Sequence, residues 1–238
     1  MATHTIPGPG GTQKLSHEES ASSSYEYFTM ASDPLQSIIR QVTQAFSNRI
    51  GETFDTGDNR AILSTQDGAY DFDIFGEVVE NEEHLKHFHS YQRTNPGCVG
   101  ETIGIHTDQG LYVVFTPGML KGTIEKNVSS TGGFYIEHKD GSQAEVDFKP
   151  SNIIIIICDG VDQFVNHRLN YGVPHLQATP HTLTVFNHGK DRYYVWYGRM
   201  VLPPYGAVHP KHGKTFGKLR RLMIEASLSG DNKEKHEN

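Results

Sequence analysis

Residues 105–115 read Ile-His-Thr-Asp-Gln-Gly-Leu-Tyr-Val-Val-Phe, and the interpretation of the fold depends on this stretch. The run from Leu111 to Phe115 is short and apolar, as in a buried β-strand. Just before it, His106 and Asp108 stand two residues apart. Side chains at positions i and i+2 of a strand lie on the same face, so both can contact one metal ion. The stretch predicts a candidate metal site at the mouth of a buried strand, with a solvent-facing strand end as the alternative.

Short apolar stretches separated by turn residues lie on both sides of that strand. The predicted strands are 61–64, 70–75, 85–91, 111–115, 134–138, 145–148, 153–158, 182–187 and 193–202. Between two of them, Asp140-Gly141 is a strong signal for a hairpin turn. Eight or so short strands in ~140 residues, without intervening helices, predict a mainly β fold. We expect a double-stranded β-helix, or jelly roll, forming a single domain over residues 32–230.

Helices are predicted at both ends of this β-rich part. Before it, apolar residues recur at helical spacing over about residues 33–50, with Pro34 in the first turn and Gly51 at the end. After it, residues 215–227 carry a second helical pattern with the apolar residues on one side. We expect both helices to flank the jelly roll.

The two ends of the chain are predicted to be disordered. Residues 1–31 are rich in Ser, Gly and Thr and offer little that can be buried, which is typical of a flexible tail. Residues 231–238 are polar and charged and predict a second tail. The first thirty residues also lack the apolar segment of a signal peptide.

The composition narrows the class of protein. The chain has 238 residues and a formal net charge of −7, which argues against a protein that coats nucleic acid. Its 2 cysteines cannot build a disulfide framework, which favours a reducing compartment. The longest apolar run, Ile153–Cys158, is much shorter than the ~20 residues of a membrane-spanning helix. We expect a cytoplasmic protein without membrane or nucleic-acid partners.

Two other His-x-Asp/Glu triplets occur in the chain, so the pattern alone is not sufficient. His17-Glu18-Glu19 lies in the predicted tail, where no scaffold fixes the side chains. His138-Lys139-Asp140 runs into the predicted hairpin turn, where an exposed histidine and a turn aspartate are ordinary. We expect neither triplet to bind metal.

The surroundings of His106 resemble a known enzyme family. IHTDQGLYVVF is similar to the HTDxGxLTxL segment of the isopenicillin N synthase-like 2-oxoglutarate/Fe(II) oxygenases. Three further segments resemble segments of that family, in the same order along the chain. Gly132–Ile136 resembles its GGLQV strand, Ile155–Asp159 resembles its VNIGD strand, and Leu176–His181 resembles the residues that lead to its distal histidine. Arg192-Tyr193-Tyr194 falls where the family has Arg-x-Ser. The resemblance covers about residues 85–204.

The resemblance implies an iron centre and a co-substrate site. Position by position, His106, Asp108 and His181 are similar to the iron ligands of the family. Arg192 matches the residue that pairs with the distal carboxylate of 2-oxoglutarate, and a planar guanidinium suits a carboxylate. Tyr91 and Tyr194 are further candidates for the co-substrate pocket. The implied enzyme is an oxidoreductase, a dioxygenase that uses O2, Fe(II) and 2-oxoglutarate to oxidise a small organic substrate, with succinate and CO2 as co-products.

Three departures from the family pattern bear on this expectation. Tyr194 stands where the family has a serine that hydrogen-bonds the co-substrate, and Thr182 follows the distal histidine in place of arginine. The spacing from Asp108 to His181, 73 residues, is longer than usual in the family. We attribute it to insertions at Pro117–Thr131 and Asn166–Pro174.

Several other histidines and the only tryptophan also need an interpretation. His167 and His175 compete with His181 for the third ligand position and are interpreted as pocket-lining or structural residues. The three histidines near residue 85 are interpreted as solvated or packed; they are His84, His87 and His89. Trp196 is interpreted as a core anchor rather than a wall of the substrate site, because large aromatic side chains usually fill cores.

Two other functions fit the same architecture. A cupin-like metal protein or isomerase would use the metal without 2-oxoglutarate, and Tyr194 in place of serine is the feature that favours it. A non-catalytic barrel would keep the fold without using the site, since a fold alone does not fix a function.

Overall fold

The computed structural model describes residues 3–7, 22–54, 62–66, 71–73, 75–81, 84–92, 103–122, 129–130, 133–168, 175–184 and 192–234. The strands within these ranges are β1 Thr3–Pro7, β2 Leu63–Ser64, β3 Asp71–Phe72, β4 Leu85–Gln92, β5 Ile103–His106, β6 Tyr112–Phe115, β7 Met119–Gly122, β8 Ser129–Ser130, β9 Phe134–Glu137, β10 Gln143–Glu145, β11 Ile154–Ile157, β12 His181–Leu183 and β13 Arg192–Val201. The α-helices are α1 Ser22–Phe54, α2 Phe75–Asn81 and α3 Phe216–Glu234.

Two antiparallel sheets carry the architecture. The major sheet has the order β1-β4-β13-β6-β11, with β7 paired to β13 and β8 paired to β7. The minor sheet has the order β10-β9-β12-β5. Apart from the pairs β7-β8 and β9-β10, neighbouring strands in these two sheets are not consecutive in sequence, as in a jelly roll. The predicted mainly β fold with flanking helices is confirmed.

Strand β13 organises the major sheet. One edge pairs with β4 from Tyr193 to Met200. The other edge is shared: Gly198–Val201 pair with β6, and Arg192–Val195 pair with β7. Because successive side chains of a strand point to opposite faces, β13 contributes residues to both faces of the sheet.

Strand β6 lies in the centre of the core. All four of its residues, Tyr-Val-Val-Phe, are buried. Tyr112 contacts helix α1, where its ring meets Phe46 edge-on at 5.1 Å and its hydroxyl pairs with the Ser47 hydroxyl. Val113 and Phe115 face the other way, into a cavity lined by residues of both sheets. The strand reads as continuously apolar because both of its faces are covered.

The N-terminal part of the chain differs from the prediction. The prediction of a flexible tail over residues 1–31 is wrong for residues 3–7 and 22–31. Residues 3–7 form β1, which pairs with β4, and α1 begins at Ser22. An edge strand is held by backbone hydrogen bonds, so a polar composition does not prevent it. Pro34 lies inside α1 rather than in its first turn, where it removes one backbone hydrogen bond. Residues 1–2 and 8–21 lie outside the described residues.

Other boundaries also differ. Helix α2 interrupts the region that was predicted to contain strands alone, and its Phe75, Val78 and Val79 are buried. Helix α3 extends to Glu234, into the tail predicted for 231–238, whose last four residues lie outside the described ones. Among the described residues, no helix combines the length and the hydrophobicity that a membrane span requires.

Candidate metal centre

The structure brings together three side chains that the sequence singled out. His106 ends β5 and lies directly opposite His181, which begins β12, in the minor sheet. Asp108 follows β5 by two residues. Its Oδ1 lies 3.9 Å from His106 Nε2 and its Oδ2 lies 3.7 Å from His181 Nε2. These three residues are called the His-Asp-His group below.

Backbone carbonyls fix the orientation of both imidazoles. His106 Nδ1 lies 2.8 Å from the carbonyl oxygen of Gly104, and His181 Nδ1 lies 2.9 Å from that of Thr179. A carbonyl can only accept a hydrogen bond, so each Nδ1 carries the proton and donates it. In a neutral imidazole this leaves the lone pair on Nε2, the atom that lies 3.9 Å from the Asp108 carboxylate in His106 and 3.7 Å from it in His181. This arrangement is the usual one for metal-binding histidines.

The charge state of the group suits a cation. His181 is 7% exposed, and its burial lowers the pKa of the imidazole, although the Thr179 carbonyl and the carboxylate of Asp108 partly oppose the shift. A neutral imidazole keeps the lone pair that a metal ion needs. Asp108 stays partly accessible, with 27% of its side chain exposed, so the group can be reached from solvent.

The spacing within the group fits a shared ion better than a hydrogen-bonded cluster. One ligand atom from each residue lies within 4.8 Å of the other two, and among the described residues this is the one such group. Separations of 3.7 and 3.9 Å are too long for hydrogen bonds between the side chains. The three groups therefore do not satisfy one another. Two neutral imidazoles and one carboxylate form the donor set of a facial triad with open positions for Fe(II).

Two glycines hold the loop that carries Asp108. The amides of Asp159 and Gly160 donate to the carbonyls of Asp108 and Gly110, both at 2.9 Å. A Cβ on Gly160 would lie 2.4 Å from the Gly110 carbonyl oxygen, and a Cβ on Gly110 would lie 2.7 Å from the Val201 carbonyl oxygen. Such distances exclude a side chain at either position. The glycine of the HTDxG pattern is thus explained by close backbone packing.

A cavity of about 110 Å³ adjoins the His-Asp-His group; we call it the inner cavity. Its apolar lining comes from both sheets and consists of Val113, Phe115, Ile156 and Met200 on one side and Ile103, Phe134 and Leu183 on the other. Phe134 stacks against the His181 ring with a centroid distance of 5.3 Å. The side of the group that faces the cavity is therefore apolar, although Asp108 itself stays partly exposed.

Tyr194 projects into the inner cavity and is 3% exposed. It fits because residue 118 is glycine: a Cβ there would lie 1.8 Å from both the Cζ and the hydroxyl oxygen of Tyr194. The phenol that replaces the expected serine is therefore accommodated by a missing side chain on the loop before β7. A sequence comparison at position 194 alone does not reveal this pairing.

Arg192 and Tyr91 are described by their backbone alone. Arg192 begins β13 opposite Gly122, and Tyr91 lies in β4 directly opposite Tyr194. Both residues thus belong to strands that border the inner cavity. Their side chains lie outside the described part of the structure.

Two histidines and the tryptophan line the inner cavity, which the sequence interpretation did not favour. His87, His89 and Trp196 line the inner cavity in a stack, with 4.2 Å between the His89 and Trp196 ring centroids. His87 Nδ1 lies 3.0 Å from His89 Nε2, while the buried His87 Nε2 has no hydrogen-bond partner within the described part of the chain. Burial lowers the pKa of each imidazole to about 4. The interpretation of Trp196 as a core anchor is confirmed, because it packs against the buried core, and its side chain also lines the inner cavity.

The competing histidines lie elsewhere. His167 and His175 are exposed and do not line the inner cavity. Asp140 accepts hydrogen bonds from the Ser142 amide and hydroxyl in an exposed turn, and these bonds lower the pKa of its carboxyl. The triplet His138-Lys139-Asp140 is thus turn structure. His17 lies outside the described residues.

Comparisons with known proteins support the fold. No protein-family model and no curated protein matches the sequence. Among solved structures, a protein of Shewanella oneidensis assigned provisionally as an oxygenase is 17% identical, with a TM-score of 0.51 over 96% of this chain and 71% of its own. A Neurospora crassa protein in complex with alpha-KG and thymine is 13% identical, with a TM-score of 0.50. That alignment covers 85% of this chain but 54% of the Neurospora protein, so the chain spans about half of that protein. The chain thus shares the fold of these two proteins.

Proposed function

We propose that the chain is an Fe(II)- and 2-oxoglutarate-dependent dioxygenase that oxidises a small organic substrate. One observation carries the proposal: two oriented imidazole lone pairs and a carboxylate converge beside an apolar cavity, without satisfying one another. The same fold in the Neurospora crassa protein binds alpha-KG, which is 2-oxoglutarate, together with thymine. The fold is thus compatible with a co-substrate and a small substrate in one protein.

His106, Asp108 and His181 would hold the iron. When bound, Fe(II) supplies the activation of O2 that couples oxidation of a substrate C–H bond to the conversion of 2-oxoglutarate into succinate and CO2. The chain contributes the negative charge of Asp108 and two neutral imidazoles whose tautomers are set by backbone carbonyls. The apolar lining keeps competing water out.

Arg192, Tyr194 and Tyr91 would form the co-substrate site. Residues 192 and 194 are two positions apart on β13 and therefore lie on the same face of the strand, and Tyr194 faces the inner cavity. We therefore assign the guanidinium of Arg192 to the distal carboxylate of 2-oxoglutarate. The phenol of Tyr194 takes the place of the family serine as hydrogen-bond donor. Tyr91, opposite Tyr194, supplies a second phenol.

The size of the inner cavity favours a small substrate. Its volume of about 110 Å³ is below the ~300–1,000 Å³ of pockets that enclose drug-sized ligands. Most of the lining is apolar, and it includes His87, whose buried Nε2 has no hydrogen-bond partner among the described residues. A compact substrate with one hydrogen-bonding group fits these features.

The test is anaerobic addition of Fe(II) and 2-oxoglutarate to the purified chain. We expect a visible charge-transfer band that Asp108→Ala abolishes and Arg192→Gln weakens at equal 2-oxoglutarate concentration. Asp140→Ala is the matched control, because it removes the aspartate of the other described His-x-Asp triplet from an exposed turn. Absence of the band in the intact protein would refute the proposal.

A second candidate is a cupin-like metal protein that works without 2-oxoglutarate. The observation that favours it is the buried phenol of Tyr194 in the place of a small serine, since the ring occupies part of the inner cavity. Succinate release under air separates the two functions. Release that depends on Arg192 supports the dioxygenase, and metal binding without succinate supports the alternative.

A further inference from the structure

A second, larger cleft lies on the face of the major sheet opposite the inner cavity; we call it the outer cleft. It measures about 730 Å³ and runs between helix α1 and the outward side chains of β4 and β13. Its size lies within the range of small-molecule sites. Its walls differ from those of the inner cavity, because most of its lining residues are charged groups and amides, with Tyr197 and His84 as the aromatic members.

Two cations stand side by side on the sheet wall of the cleft. Lys86 of β4 and Arg199 of β13 are direct partners in the antiparallel register, and both are partly buried. Like charges at opposite positions of a strand pair repel each other and destabilise the sheet. Within the described part of the chain, Arg199 forms no ion pair or hydrogen bond, and Lys86 donates only to the Gln36 side chain at 2.7 Å. Among the described contacts the pair therefore has no direct ion-pair partner, although the carboxylate of Asp33 acts on Lys86 from beyond ion-pair distance.

Helix α1 supplies a third cation on the facing wall. Arg40 lines the outer cleft and is close enough to lower the pKa of Arg199, after the larger effect of burial. Burial and the charge of Arg199 lower the pKa of Lys86, while Asp33 partly opposes this. Asp33 and Glu80 are exposed residues of the cleft and, among the described contacts, make no ion pair with these cations. The three cations thus outnumber the two carboxylates that line the cleft, and none of the three is in a described ion pair.

We infer that the outer cleft binds a small anionic molecule through a carboxylate or phosphate group held by Arg199, Lys86 and Arg40. A planar guanidinium binds two oxygens of such a group at once, and an ammonium adds a point charge beside it. An anion between Lys86 and Arg199 turns a repulsive pair into two attractive contacts. Gln36, Gln41 and Gln44 on α1 also line the cleft, where their amides pair with Lys86, Ser37 and Asn48 respectively.

This inference is independent of the metal centre. Side chains alternate along β4 and β13, so the residues of the outer cleft do not reach the inner cavity. The anion in the outer cleft is therefore not the co-substrate of the proposed dioxygenase.

The experiment titrates the full, metal-free chain with inorganic phosphate and, separately, with citrate, followed by calorimetry. We expect saturable binding of at least one probe in the millimolar range or tighter, weakened about tenfold or more in Arg199→Gln and in Lys86→Gln. Arg221→Gln, which removes an exposed arginine of α3 outside the cleft, is the matched control and should bind as the native chain does. Asp108→Ala should also bind normally, which separates this site from the metal centre.

A purely structural role for the cations predicts a different result. If they only stabilised the fold, Lys86→Gln would unfold at a lower temperature. We expect it instead to unfold at the same or a higher temperature without anion, and to lose the stabilisation that the anion gives the native chain. Should Arg199→Gln fail to fold, Arg40→Gln on the exposed side of α1 replaces it. Lack of saturable binding of both probes, or undiminished binding in the cleft variants, would overturn the inference.

Discussion

The two faces of the major sheet carry different kinds of polar side chain, although strands β4 and β13 contribute to both faces. On β4 and β13, His87, His89 and Trp196 face the inner cavity, and Lys86 and Arg199 face the outer cleft. The alternation of side chains along a strand separates these sets by single residues. One pair of strands thereby serves an apolar site and a cationic one.

The two faces differ because burial deprotonates an imidazole much more easily than a guanidinium. An imidazole loses its proton at a modest cost, so the inner histidines are buried as neutral groups with lone pairs available. A guanidinium keeps its charge at any ordinary pH, so Arg199 stays cationic in the outer cleft. The inner face should therefore respond to pH, whereas the outer face should respond to ions.

The largest expected effect is a loss of stability in acid. Burial lowers the pKa of His87, with a further contribution from His89 and Arg220, and lowers that of His89, each from 6.5 to about 4. Between pH 6.5 and about 4 the unfolded chain binds protons that the folded chain does not. The contribution of the two histidines to the free energy of unfolding is therefore fully present above pH 6.5 and falls as the pH drops towards 4. We expect a loss of about 3–5 kcal/mol for the two histidines, measured by urea unfolding across this range.

The control for this experiment compares buried and exposed histidines. His84, buried at the end of the outer cleft, has its pKa lowered to about 4 as well and contributes with the same sign. A double variant, His87→Gln with His89→Gln, should show a flatter pH dependence, with the parts due to His84, His181 and His209 remaining. His175→Gln, at an exposed position, should retain the native slope. An unchanged slope in the double variant would contradict the assignment.

The second effect concerns the packing of Tyr194 against Gly118. In Gly118→Ala the new Cβ would lie 1.8 Å from the ring, so the ring must move, which we expect to cost about 1–3 kcal/mol in unfolding free energy. Tyr194→Ser should relieve this cost in the double variant, since the two residues share one space. Gly206→Ala, whose Cβ would meet Thr65 at an ordinary 3.6 Å, is the control. Additive losses in the double variant would show that the two residues do not compete for space.

The mainly β fold and the residues of the His-Asp-His group could be predicted from the sequence because the strand that follows His106 is buried on both faces. The apolar run after His106 is buried on both faces, so its strand was recognisable without knowing its partners. The turn residues and the short spacing between apolar stretches then required an antiparallel arrangement. The role of His106, Asp108 and His181 as metal ligands stays a prediction, although the structure brings the three together.

The sequence did not predict the roles of His87 and His89. A strand with one exposed face alternates polar and apolar residues, but both faces of β4 are covered, one by the inner cavity and one by the outer cleft. Its residues therefore carry no alternation that identifies the inner face. Strand β1 was missed for another reason, because pairing along an edge depends on the backbone rather than on side-chain type.

A third, smaller effect tests the contact between helix α1 and the outer face of β6. Tyr112 is fully buried and its hydroxyl pairs with that of Ser47, which is also buried. Burial raises the pKa of Tyr112, so the phenol stays neutral at ordinary pH. Tyr112→Phe leaves the Ser47 hydroxyl without this partner, and we expect a loss of about 1–2 kcal/mol in thermal or urea unfolding. Adding Ser47→Ala should recover part of the loss, and no recovery would mean that the pair is not coupled.

The smallest effect measures the repulsion between Lys86 and Arg199 directly. Raising NaCl from about 20 to about 200 mM screens like charges, and we expect the native chain to gain about 0.2–0.5 kcal/mol from this pair. Salt also screens the overall charge of −7, so the comparison is made between two variants that change the net charge equally. Lys86→Gln removes the repulsive pair, whereas Lys211→Gln removes an exposed lysine outside the outer cleft. A smaller gain in Lys86→Gln than in Lys211→Gln isolates the local repulsion. Equal gains would mean that the two cations are already neutralised, and the outer face would then have no need of an anion.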